Sequence, residues 1–182
     1  MHNTFKSPKA WILWGIPVLW IMGFIFHSMY DYTGKILFIG LFCPVNESVW
    51  EHLKLTFYPI LFWFGIGYII LSKSCKIDST KWLICTVISI FISSLFVIAF
   101  YYSYTGALGI ASIILDIMSL IIGIFLAQII CVHIYKYGKG HNVSFYISLI
   151  LLGVLIVIFT YYTFSPPKFP MFRDSLSGKY GI

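Results

Sequence analysis

Pro44-Val45-Asn46-Glu47-Ser48-Val49-Trp50-Glu51-His52-Leu53-Lys54 heads the second long apolar run of the chain. This short stretch gathers two carboxylates, a hydroxyl, an imidazole and an ammonium. Charge at the entry to a lipid-embedded segment is costly, so these groups need partners or a task. On a helical wheel of about 100° per residue, Glu47, Glu51, Lys54 and Tyr58 share one arc. Ser48 and His52 stand beside it, while Trp50, Leu53 and Phe57 face away. Two readings follow. In one, this is an interfacial helix end with solvated charges and a Glu51–Lys54 pair worth a few tenths of a kcal/mol. In the other, the polar face turns inward and lines a cavity.

The composition fixes the solvent. The 182 residues are 60% hydrophobic and 10% charged, where soluble domains carry about 25% charged residues. Mean hydropathy is +0.93. A soluble fold cannot bury that much apolar surface, so the partner is a lipid bilayer, and the length fits one bundle. The net charge of +6 does not point to nucleic acid, because the basic residues are scattered over segment ends. Cys43, Cys75, Cys85 and Cys131 form no CxxC or CxxH pattern and read as isolated thiols.

Outward from the opening stretch, the pattern predicts an all-α integral membrane bundle of five transmembrane helices in one domain. They are expected at about residues 11–29, 47–71, 82–102, 108–135 and 143–164, with a polar tail over 165–182. The first run is too long for a signal h-region and lacks an A-x-A site, so it reads as a retained helix. Residues 36–42 are apolar but far short of the ~20 a spanning helix needs; they read as a re-entrant or interfacial segment between the first two helices. Ser48 with Glu51 fits a capping box, and Asn46 is a further cap candidate. Ser103-Tyr104-Thr105-Gly106 reads as a turn. The tail, with Pro166, Pro167 and Pro170 and the apolar Phe169, Met171 and Phe172, either folds back over the bundle mouth or leaves it as a disordered exit.

Positive-inside counting puts the N-terminus in the cytoplasm, with Lys6, Lys9, Lys73, Lys76, Lys81, Lys136 and Lys139, and the tail outside the cell membrane. Asp31, Glu47, Glu51, Asp174, His27 and His52 then all fall on the outer side. Asp116 is expected some two turns into the fourth helix, roughly 12 Å deep. It shares a face with the small residues Gly109, Ser112, Ser119, Gly123 and Ala127, a packing stripe that turns it into the bundle. His27 shares a face with Trp20, Gly23 and Asp31.

These side chains suggest chemistry. His27, His52 and Asp116, with Glu47 or Glu51, are what a divalent metal such as Zn²⁺ accepts, leaving a position for water. Glu47, Glu51, His52 and Asp116 are the candidate catalytic groups, with a spare glutamate as base for attack on a carbonyl or phosphoryl centre. The bland alternatives are a buried, hydrogen-bonded Asp116 and interfacial histidines. The competing functions are a small transport or proton-coupled component titrating at Asp116, and a structural or accessory subunit packed against another membrane protein or a second copy.

The P-V-N-E-S-V-W-E-H-L-K block, the His27–Asp31 helix end and the closing Pro-Pro…Gly-Lys-Tyr-Gly-Ile tail together resemble a family of small bacterial multi-pass membrane proteins of unknown function. The resemblance covers nearly the whole chain and implies a bacterial cytoplasmic membrane protein, but no activity. Ser48…His52 and Asp116 are also similar to the pattern of membrane hydrolases and receptors that hold zinc with a Ser-x-x-x-His pair, an Asp and further histidines. The inner-end His-x-x-x-His pair of that pattern is absent from this sequence.

Overall fold

The computed structural model describes residues 7–182. Lys6, counted above among the cytoplasmic charges, lies outside them. Among the described residues there are no strands, and five helices are long and apolar enough to cross a membrane.

Helix α1 (Pro8–Tyr32) starts at Ser7, whose hydroxyl accepts the Ala10 N–H at 3.2 Å, with Pro8 where its missing N–H costs nothing. Gly34 and Lys35 turn the chain with φ of 75° and 62°. The connector then makes a single turn, α2 (Leu37–Gly40), with Ile36, Leu37 and Phe38 exposed, as befits a short interfacial piece. Gly40 is required by crowding: a Cβ there would sit 2.7 Å from the Val45 side chain and 2.9 Å from the Tyr30 ring.

The second span starts at Val49, two residues later than periodicity suggests, and runs to Leu71. It comprises α3 (Val49–His52) and α4 (Lys54–Leu71), joined through Leu53, whose backbone stays right-handed helical. Ser48 Oγ caps α3 by accepting the Glu51 N–H at 3.2 Å. Only this half of the capping box forms. Asn46 Oδ1 takes the Ser48 N–H at 3.0 Å, and the Glu51 carboxylate accepts from Val45 N–H at 3.0 Å instead.

Helix α5 (Ser79–Leu108) continues through 103–106, where a turn was expected, and stops only at Gly109 in the left-handed conformation, φ 68°. Helix α6 (Ile113–Tyr137) therefore begins later than expected, and α7 (Asn142–Phe164) completes the spans. The later start moves Asp116 into the first turn of α6, not two turns deep. There the helix dipole favours a carboxylate.

Helix α5 packs on α4, α6 and α7, and α1 packs on α4 and α6. The small-residue face of α6 meets α5: a Cβ on Gly123 would lie 3.0 Å from the Ser93 carbonyl. Gly109 and Ser112 fall ahead of the helix and are not part of that face. Against α1, Trp20 Nε1 donates to the Ile121 carbonyl at 3.1 Å, and a Cβ on Gly23 would meet Leu120 at 3.1 Å. This antiparallel register, carried one turn further, brings His27 and Asp116 to the same end of the bundle.

Candidate metal centre

The two glutamates of the opening stretch have different fates. Glu51 is 2% exposed and Lys54 0%. Lys54 Nζ donates to Glu51 Oε2 at 2.6 Å and to the Gly40 carbonyl at 2.7 Å, with the Cys43 carbonyl at 3.4 Å. With Val45 N–H on the same carboxylate oxygen, the pair staples the connector to α4. Glu51 is thus neither solvated nor lining an open cavity. Removing one side of such a buried pair costs about 3–5 kcal/mol, far beyond the surface-pair reading. Beside it, the Cys43 thiol is pushed up to about 11 by burial, against the opposing pull of Lys54.

Glu47 turns the other way and meets two imidazoles. His52 Nε2 lies 3.2 Å from His27 Nε2 and 3.3 Å from Glu47 Oε2, and His27 Nε2 lies 3.8 Å from the same oxygen. The three atoms close a triangle. A triangle with these edges has a circumradius of about 2.0 Å, so an ion at the ~2.0–2.1 Å typical of Zn–N and Zn–O bonds would sit just off its plane. Those dimensions match one face of a tetrahedral site. The side chains of His27, Glu47 and His52 are 36%, 39% and 26% exposed, so the triangle is reachable from the end of the bundle.

The tautomer agrees. His52 Nδ1 faces the Ser48 carbonyl at 2.9 Å. A carbonyl only accepts, so Nδ1 carries the proton and the neutral ring presents an Nε2 lone pair to the triangle. A ligating histidine whose other nitrogen is held by a backbone carbonyl is the usual arrangement in metal sites. In the doubly protonated imidazolium, Nε2–H donates to Glu47. That hydrogen bond holds the Glu47 carboxyl below its usual range, against the smaller opposing effect of burial.

Asp116 does not join the triangle. Tyr104 donates its hydroxyl to Asp116 Oδ1 at 2.7 Å and accepts the Ser112 N–H at 3.2 Å. Among the described residues the set with mutually close ligand atoms is His27, Glu47 and His52. Glu47 takes the place that Asp116 holds in the sequence-derived set. Tyr104 lies in the segment expected as a turn; because α5 runs to Leu108, it faces the start of α6. Asp31 stays exposed, 3.8 Å from Lys35. Ser48 acts as a helix cap, its hydroxyl spent on Glu51 N–H, so the likeness built on a Ser-x-x-x-His pair is carried by His52 only.

The tail folds back onto this end. Trp50 packs against Phe159 of α7 and Phe172 of the 3₁₀ turn η1 (Pro170–Phe172), with ring centroids 5.0 and 4.8 Å apart. Asn46 Nδ2 donates to the Gly181 carbonyl at 3.0 Å, and Glu47 N–H to Asp174 Oδ1 at 3.3 Å.

Fold and composition define an all-helical protein with five potential membrane spans and a histidine–carboxylate cluster at one end. The chain belongs to a family described as one of unknown function, DUF6512, whose profile matches residues 1–182. No curated protein and no solved structure matches it.

Proposed function

We propose that His27, Glu47 and His52 bind a divalent transition metal, Zn²⁺ by preference of its donor set, and that the centre is hydrolytic and acts on a lipid-linked or extracytoplasmic substrate. The observation that carries this is the triangle of mutually close ligand atoms on His27, Glu47 and His52. Two neutral imidazoles and one carboxylate would hold a divalent ion with net positive charge, which would lower the pKa of a bound water toward neutrality. Glu51 is locked to Lys54, Asp31 stays exposed beside Lys35 and Asp174 is held in its own turn, so Asp116 is the carboxylate we assign as the proton acceptor. Such an ion would supply a nucleophilic water for attack on a carbonyl or phosphoryl centre, and Asp116 would hold the water's proton and return it to the leaving group.

The basic side chains favour an outward-facing site. Lys73, Lys76, Lys81, Lys136 and Lys139 lie at the opposite end of the bundle, against Lys35 and the tail cations here. By the positive-inside rule the N-terminus is cytoplasmic and the tail lies outside a bacterial cell membrane. Metal analysis of protein purified from membranes tests the reading. One equivalent of Zn²⁺ in the wild type, lost in His27→Ala, Glu47→Ala and His52→Ala but kept in Asp116→Ala, supports it. Unchanged content in the three ligand variants refutes it.

A further inference from the structure

Glu47 lies ahead of α3, so no helix organises its backbone. Its peptide groups are taken up by a segment far away in sequence. The N–H donates to Asp174 Oδ1 at 3.3 Å, and the carbonyl accepts the Ser175 N–H at 3.4 Å. Asp174 is also the knot of its own turn. Its carboxylate accepts from the N–H groups of Leu176 and Ser177 and from the Ser177 hydroxyl, and its backbone pairs with Lys179 and Gly178. The turn is anchored on both flanks, by Phe172 on Trp50 and by Gly181 on Asn46. The chain is thus clamped immediately before and after the one carboxylate ligand.

We propose that Asp174 is a positioning residue of the metal centre: it seats the C-terminal strap on residues 46–47 and so fixes the backbone from which Glu47 reaches the two histidines. This rests on the metal reading. A ligand outside any regular element otherwise keeps several rotatable bonds and a mobile backbone. Fixing the peptide on both sides removes that freedom before the ion arrives. Outer partners of this kind typically contribute 10–100-fold in metal affinity.

The test uses the full-length chain in detergent, titrated with Zn²⁺ by competition and with Co²⁺ for its visible spectrum. Asp174→Ala is expected to weaken Zn²⁺ binding about 10–100-fold and to change the Co²⁺ band shape. Asp174→Asn, whose amide oxygen still accepts the Glu47 N–H, restores most of the affinity. A merely structural tail gives the opposite split, a lowered melting temperature of the metal-free protein with unchanged Zn²⁺ affinity, and overturns the proposal. Should Asp174→Ala fail to fold, Asn46→Ala loosens the other flank and is expected to weaken Zn²⁺ in the same direction; unchanged affinity there also overturns it. A wild-type chain that binds neither ion sinks the metal reading itself, an outcome distinct from normal binding in both strap variants.

Discussion

Replacing Glu51 with Gln separates a structural staple from a catalytic carboxylate. The change keeps the side-chain shape and removes the negative charge. Lys54, with 0% exposure, would then hold its ammonium against the Gly40 and Cys43 carbonyls, at 2.7 and 3.4 Å, with no counter-charge. One-sided disruption of a buried pair costs about 3–5 kcal/mol, while an exposed pair at this spacing gives a few tenths. For a chain of this size each kcal/mol moves a melting temperature by roughly 2–4 °C, so a fall of roughly 6–20 °C is expected. Lys54→Met alone strands the carboxylate and costs a similar amount. The double variant Glu51→Gln/Lys54→Met recovers much of the loss, because apolar replacement of a whole buried pair is often near neutral. The assay is thermal denaturation of purified protein in detergent, with metal content measured on the same samples. Metal content stays at the wild-type level in every variant that remains folded. A Glu51→Gln protein that melts within about 2 °C of wild type but loses its metal would refute the reasoning and place Glu51 in the site.

Acidification should release the metal through the histidines rather than through Glu47. The Glu47 carboxyl, held below its usual range first by the His52 hydrogen bond, stays ionised well into acid. Its contribution to stability is present above the ordinary carboxylate range and fades only as pH falls through the lowered value. The imidazoles must be neutral to ligate, so competition titrations should show affinity falling as acid protonates them, by up to about tenfold per pH unit for each histidine. In the tail, burial works against ionisation of Asp174, but hydrogen bonds from Ser177, Leu176 and the Glu47 N–H outweigh it and hold that carboxyl low. Strap docking therefore persists through neutral pH and loosens only below the ordinary carboxylate range, read as faster proteolysis of the tail. Gly181→Ala should loosen the strap at neutral pH, since Gly181 has φ 69° and a Cβ there would lie 2.9 Å from Pro166; limited proteolysis should again report it. Asp116→Asn is expected to keep its Zn²⁺ while abolishing hydrolysis in a screen of lipid-linked esters and phosphoesters, and loss of the metal in that variant would return Asp116 to the ligand set.

Hydropathy and periodicity determined much of this protein. Sixty per cent hydrophobic residues in long runs dictate helices, because lipid offers a peptide group no hydrogen-bond partner and the chain must satisfy it internally. The same sequence located the polar end of the bundle and offered His27, Glu47, His52 and Asp116 as candidates. What it did not carry was the choice among them. Glu47 and Glu51 are one helical turn apart on a wheel, but the chain at Glu47 is not helical, so the two carboxylates point to different partners. Asp116 pairs with the Tyr104 hydroxyl because α5 runs on to Leu108 and brings that residue to the start of α6. The contact of Asp174 with Glu47 spans more than a hundred residues, beyond any local pattern. Local chemistry set which groups lipid would not tolerate unpaired; only the packing of α1 on α6 and the return of the tail decided which group paired with which, because those distances are fixed by the folded chain and not by sequence spacing.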